Sequence, residues 1–149
     1  MVINENAFIE KLLPAGILRP LTPDEMSTYK DPFKDGGESR RPCLTWSREI
    51  PISSEGPDDI HKVMSDYNKW LRHFANDVPK LYINAEPGFF APIIKEKVKD
   101  IQNVKTVTVK GHHFVPEDSP EQIGKEVAHF IEKALYKLWW CFWQVDCAL

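Results

Sequence analysis

The sequence predicts an α/β fold of which this chain carries only part, and three observations carry that reading. Residues 104–135, VKTVTVKGHHFVPEDSPEQIGKEVAHFIEKAL, order a β-branched strand, a Gly-His-His loop and a capped amphipathic helix. Residues 80–109 order a short apolar strand, a helix and that same second strand, which makes one β-α-β unit. No further strand is legible in the 149 residues. A lone parallel pair leaves a long unpaired edge and an apolar face without cover, so the chain is expected to be a piece of a larger sheet.

The elements follow in chain order. Residues 4–12 place Phe8, Ile9, Leu12 and Leu13 at helical spacing and meet Pro14, whose missing N–H predicts a stop there. Thr22-Pro23-Asp24-Glu25 supplies an N-cap, a proline at the first helical position and two acids on the positive helix end, opening a helix that reaches roughly Pro32. Residues 33–56 hold Gly, Arg, Pro and Ser without a sustained period and are expected to form a long irregular connection. From Gly56-Pro57-Asp58-Asp59 a helix carries Ile60, Val63, Met64, Tyr67, Trp70, Leu71 and Phe74 on one face, which is expected to be buried.

Pro79 leads into the strand KLYINA at 80–85, and Pro87-Gly88 marks the turn out of it. Phe90, Ile94, Val98 and Ile101 form the inner stripe of the next helix, and a strand follows at 104–109. Ser119, Pro120 and Gln122 spell a capping box for the last helix, whose Ile123, Val127, Phe130, Ile131 and Leu135 are expected to pack on the sheet. After Lys137 the composition changes abruptly: LWWCFWQVDCAL holds three of the five tryptophans and two of the three cysteines. Twelve residues are too few for a bilayer span, which needs about 20. The expectation is an atypical tail over 139–149, either an interfacial anchor or a sequence joined on by splicing or a gene-model error.

Composition is ordinary for a globular protein, at 42% hydrophobic, 28% charged and a net charge of −3, and offers no basic surplus for a nucleic-acid partner. The odd cysteine count, Cys43, Cys141 and Cys147, argues against a disulfide framework and for a reducing compartment. MVINENAFIEKLL carries acids and no basic stretch before its apolar positions, unlike a secretory signal. Together these give a cytoplasmic expectation with no transmembrane span.

For chemistry, the second strand delivers His112 and His113 to its carboxyl end, where open α/β sheets present their reactive groups. A histidine late in the chain can close a nucleophile, acid, histidine order. No Gly-x-nucleophile-x-Gly elbow occurs among the glycines at 16, 36, 37, 56, 88, 111 and 124, so the nucleophile is expected upstream of this sequence. The competing reading of His113 is a loop histidine that satisfies backbone groups. A His112–His113 metal pair lacks Cys or carboxylate partners at ligand spacing, and Glu117 and Asp118 suit a helix entrance better. Glu86 ends the first strand and is a candidate acid for orienting His113, although structuring the Pro87-Gly88 turn is the favoured role. Arg40, Arg41 and Arg48 suit an anion, or ion pairs with Glu38 and Glu49.

Three segments then carry a specific resemblance: RRPCLTWSREIP at 40–51, DVPKLYINAEPGFF at 77–90 and VKGHHFVPEDSPEQIG at 109–124. They resemble the C-terminal half of the haloalkane dehalogenase family, which includes the Renilla-type luciferases, over about Asn4 to Leu135. The resemblance implies a partial α/β-hydrolase fold: residues 1–52 as the last part of the helical cap, 53–138 as the C-terminal β-α-β-α of the core sheet, and 139–149 as the tail. It implies an aspartate nucleophile, an alkyl-enzyme ester and a histidine-activated water. His113 matches the base, while His112 stands where an apolar residue is usual. Phe89 and Phe90 match pocket-lining positions, Trp46 a tunnel wall and Phe8 a cap aromatic. Ser47 replaces the usual proline, and Gly16 stands where a bulky tunnel residue is common.

In that family the nucleophile, its neighbouring tryptophan, the halide-binding asparagine and the orienting glutamate precede the matched region. The chain alone is therefore expected to be inactive. The implied ligand is a small hydrophobic molecule, a halogenated alkane or, for the luciferase alternative, an imidazopyrazinone, with no cofactor and no metal. A non-catalytic product that binds partners through its uncovered sheet and Trp-rich tail is the third reading.

Overall fold

The computed structural model describes residues 1–52 and 56–146, with side chains through Tyr136. The chain forms two compact units, Met1–Ala75 and Asn76–Leu149.

The first unit opens with α1 (Val2–Glu5), which ends on Asn6 in the left-handed region at φ 50°. Asparagine is among the few side chains that tolerate that region. A π-helical turn over Phe8–Leu12 runs into α2 (Leu13–Ala15), so the helical path crosses Pro14 and ends at Gly16 instead. The reason is register. Leu13 N donates to Phe8 O five residues back, which leaves Pro14 in the first turn of α2, where a missing N–H is tolerated. Ala7, Ile9, Leu13 and Ile17 are buried and form the apolar core of this unit.

The α3 helix (Pro23–Lys30) starts as its sequence demands. Thr22 Oγ1 accepts from Glu25 N at 3.3 Å, and Glu25 Oε2 accepts from Thr22 N at 2.7 Å. The Arg19 guanidinium forks onto both Glu25 oxygens at 2.8 Å. Those bonds, Arg19 first and the Thr22 amide next, hold the Glu25 carboxyl down to about 2. A depressed carboxylate contributes stability that is complete above its unfolded value of 4.5 and disappears as pH falls through its folded one. Acid titration is therefore expected to fray α3 between about pH 4.5 and 2, read as faster amide exchange at Glu25 and Met26, with Glu25→Gln insensitive over that window.

Within the stretch expected to be irregular, residues 33–48 depart from that expectation. Two 3₁₀ turns, Asp31–Phe33 and Gly37–Arg40, lead into α4 (Arg41–Arg48). Pro42 falls in the first turn of α4, where it is compatible with the helix, and no glycine interrupts 41–48. Arg40 organises this region: its guanidinium donates to Ile3 O and Asn4 O, both at 3.0 Å, to Phe33 O at 2.9 Å and to Lys34 O at 3.2 Å. One rigid fork thus ties the chain start to the turn before α4, a task a lysine cannot copy. Arg40 is accordingly structural, and Arg41 pairs with Glu38. The α5 helix (Asp58–His73) has acids in its first turn and Arg72 and His73 in its last, matching the helix dipole. Its apolar stripe is not buried: Val63, Met64, Tyr67 and Trp70 are exposed, as is Phe74 just beyond.

The second unit holds β1 (Lys80–Pro87), α6 (Ala91–Val98), β2 (Val104–Gly111), α7 (Val115–Asp118) and α8 (Pro120–Asp146). β1 and β2 pair in parallel, in register from Lys80 opposite Val104 to Pro87 opposite Gly111. Side chains alternate between faces. Val109 is buried on one face, and Asn84 is buried on the other. Burial raises the Tyr82 phenol, so it stays protonated and donates to Asn84 Oδ1 at 3.1 Å, while Asn84 Nδ2 donates to Thr108 Oγ1 at 3.4 Å.

The expected capping box at α8 does not form. Ser119 Oγ donates to Lys110 O at 2.6 Å and Gln122 Nε2 to Thr108 O at 3.4 Å, so both side chains serve β2 carbonyls. Ile131 and Leu135, expected in the core, are exposed, as are Phe90 and Ile94. α8 continues without a break past Lys137, so the start of the expected tail is helical, while 147–149 lie outside the described residues. Among the described residues no helix is long and apolar enough to cross a membrane.

Candidate active site

The carboxyl ends of β1 and β2 meet in one backbone bond, Gly88 N to Gly111 O at 3.0 Å. That bond sets the Phe89-Phe90 loop against the His112-His113 loop. Gly88 makes it with φ +57°, and a Cβ there would lie 2.5 Å from Ala85 O. The tight turn therefore requires glycine.

The two loops border an open cleft of about 220 Å³, lined by Tyr82, Ile83, Phe89, Phe90, Ile94 and His113 among others. The His113 imidazole stands edge-on to three rings: Phe114 at 4.9 Å, Phe89 at 5.7 Å and Phe90 at 5.9 Å between centroids. It is exposed, and among the described residues no carboxylate bonds to it. The imidazole thus sits in an aromatic bowl at the carboxyl end of β2. Glu86 is exposed at the end of β1 and makes no hydrogen bond to His113.

His112 plays a different part. Its backbone N–H donates to Asp118 Oδ2 at 3.0 Å, its ring stacks on Phe89 at 5.6 Å, and its Nδ1 is buried without a partner. Asp118 thus fixes the histidine loop from the end of α7, a role the sequence reading missed. The signal was present as an acid six residues after the loop's first histidine. No group of three His, Cys, Asp or Glu among the described residues could hold a metal.

Phe8, Gly16, Trp46 and Ser47 lie in the first unit. Phe8 meets Trp46 edge-on at 5.8 Å. Gly16 is buried at the end of α2. Ser47, singled out because the resembling family usually has proline there, turns its hydroxyl back to Cys43 O at 2.8 Å, a bond that leaves α4 continuous. Burial pushes the Cys43 thiol up, so it is no ready nucleophile.

No protein-family model matches the chain. It is 42% identical over 134 residues to a haloalkane dehalogenase of Sphingobium indicum, covering 89% of this chain and 44% of that protein. It is 44% identical over 135 residues to the coelenterazine h 2-monooxygenase of Renilla reniformis, covering 91% and 43%. The structure superposes on a haloalkane dehalogenase of Bradyrhizobium elkani with a TM-score of 0.80 at 35% identity, over 89% of this chain and 45% of the other. Over about nine-tenths of its length the chain is similar to α/β-hydrolases of the haloalkane dehalogenase family.

It spans less than half the length of the relatives it matches. Among the described residues the sheet has two strands and apolar side chains of α5 and α6 are exposed, as in a partial hydrolase fold.

Proposed function

We propose that this chain supplies the water-activating histidine and the aromatic wall of a haloalkane-hydrolysing centre whose nucleophile lies on polypeptide outside these 149 residues. In this reading residues 1–52 belong to the helical cap and 53–138 to the core. A carboxylate attacks the carbon bearing the halogen, and the halide leaves with the bonding pair, giving an alkyl ester. His113 then removes a proton from water, the water oxygen adds to the ester carbonyl, the imidazolium proton passes to the departing alkoxide to give the alcohol, and the new carboxyl loses its proton to solvent as the carboxylate is regenerated. Imidazole suits that step because it exchanges protons near neutral pH. The observation that carries the reading is His113 at the end of β2, ringed by Phe89, Phe90 and Phe114 beside an apolar cleft.

The 44% identity to a coelenterazine monooxygenase favours a second reading, an oxidation of an imidazopyrazinone by O₂ in the same cleft. One experiment separates the two. The chain is co-expressed with the segment of the Sphingobium dehalogenase that it does not match, and the product is assayed for bromide release from 1-bromobutane and for light with coelenterazine. Bromide without light is expected, and neither signal from the chain alone. Light without bromide selects the monooxygenase, and bromide release by the chain alone overturns the proposal.

A further inference from the structure

His112 is the polar side chain of the cleft that the hydrolytic steps above leave without a task. Its half-buried ring borders the cleft together with His113. Two contacts fix it there: Asp118 Oδ2 holds its backbone N–H at 3.0 Å, and the ring stacks on Phe89 with 5.6 Å between centroids and 28° between planes. A neutral imidazole fixed in this way offers one N–H and one lone pair. Which nitrogen carries which is set by the surroundings of each.

Those surroundings differ. Nδ1 is buried without a partner, whereas Nε2 is not shut away in this manner and makes no hydrogen bond among the described residues. A proton on Nδ1 would bury a donor with nothing to accept from it, and orphaned buried N–H groups are rarer in folded proteins than under-satisfied acceptors. The proton therefore belongs on Nε2, where water or a ligand can accept it. The rest of the cleft offers a polar ligand little. The Tyr82 hydroxyl is spent on Asn84 Oδ1 and the Gly88 N–H on Gly111 O, while Ile83, Phe90 and Ile94 are apolar. A donor on an apolar wall sorts ligands by whether they bring an acceptor to it.

We infer that His112 is a specificity residue of this cleft: its Nε2–H binds a hydroxyl or ether oxygen carried on the alkyl chain of the substrate, so that oxygenated haloalkanes are selected over plain ones. The inference deepens the hydrolase reading above and rests on it for the cleft being the substrate site. The leaving halide is the competing acceptor.

The test uses the chain co-expressed with the unmatched segment of the Sphingobium dehalogenase, and two substrates of matched length, 3-bromopropan-1-ol and 1-bromobutane. His112→Phe keeps a ring on Phe89 and removes the N–H. It is expected to lower the ratio of kcat/KM for the bromoalcohol to that for the bromoalkane by about three- to tenfold, the worth of one neutral hydrogen bond. His112→Gln sets an amide nitrogen near the place of Nε2 and is expected to recover most of that ratio. Binding of 1-butanol, which cannot be hydrolysed, is followed at the His113 imidazole signals of the same complex and is expected to weaken about three- to tenfold in His112→Phe and to return in His112→Gln. In the chain alone the imidazole ¹⁵N spectrum is expected to show His112 protonated at Nε2, and circular dichroism of each variant checks folding. Butanol binding that follows this pattern without bromide from any form keeps the inference and removes the hydrolase reading. Bromide release with an unchanged ratio and unchanged butanol affinity does the reverse. An equal fall for both substrates, which assigns the N–H to the halide, overturns the inference. So do a loss that His112→Gln does not repair, a proton found on Nδ1, and a complex that does not bind butanol.

Discussion

Replacing His113 with phenylalanine in the completed enzyme is expected to stop turnover while leaving the first chemical step intact. In the proposed sequence the imidazole acts only after the ester has formed, so alkylation of the nucleophile and release of one halide do not require it. The variant should release about one halide per protein and then stall, with steady turnover down by at least about 10³-fold, as befits loss of a general base that works as part of a unit. Intact mass should rise by one alkyl group on the nucleophile-bearing segment. Phenylalanine is the informative replacement because it preserves edge-to-face packing with Phe89, Phe90 and Phe114, each pair worth about 0.5–1.5 kcal/mol. Loss of folding is thereby separated from loss of proton transfer. Undiminished turnover, or a stalled protein without the added mass, would remove His113 from the base role.

Where the sequence could be read, the deciding forces were local. Thr22, Pro23 and Glu25 satisfy one another within a single turn, so α3 and its cap followed from spacing alone. Both strands were legible because β-branched and aromatic residues crowd between prolines and glycines. The failures have a common physical origin: partners far along the chain. Arg40 draws the backbone of Ile3 and Asn4 onto the turn before α4, and no period over 33–56 announces that. Ser119 and Gln122 have the right spacing for a cap, yet the bare carbonyls of β2 compete for them and win. The stripe on α5 was expected to be buried and is exposed. Periodicity names such a face without naming what covers it.

The candidate site divides the same way. His113 was legible because a strand followed by Gly-His-His places an imidazole at the sheet's carboxyl end whatever the rest of the fold does. Its aromatic neighbours needed more, since Phe89 and Phe90 reach it only through the Gly88-to-Gly111 bond between two loops that lie 23 positions apart in the sequence. The pinning of His112 by Asp118 went unread for a related reason: an acid near a helix start reads as a dipole partner before it reads as a loop clamp.

Gly88→Ala is expected to be the most damaging single-atom-scale change in the second unit. The left-handed backbone at this position costs a non-glycine residue about 1–2 kcal/mol. The added methyl would also lie 2.5 Å from Ala85 O and 2.6 Å from Ala91 Cβ, and neither neighbour can swing aside: one is strand backbone, the other a methyl fixed in the first turn of α6. Overpacking of that kind adds about 1–3 kcal/mol, so a total loss of about 2–5 kcal/mol is expected from the denaturation midpoint of the intact chain. Relief requires the turn to move, and the turn carries Phe89 and Phe90. The strain should therefore break the Gly88–Gly111 bond and separate the phenylalanines from His113, seen as changed ring-current shifts on the His113 imidazole protons. Gly124→Ala is the matched control, because a Cβ there meets nothing within 4 Å and the position is helical. It is expected to be neutral or to stabilise slightly, by up to about 1 kcal/mol. Equal effects of the two substitutions would mean that the turn after β1 is soft, and that the aromatic bowl around His113 is not held by it.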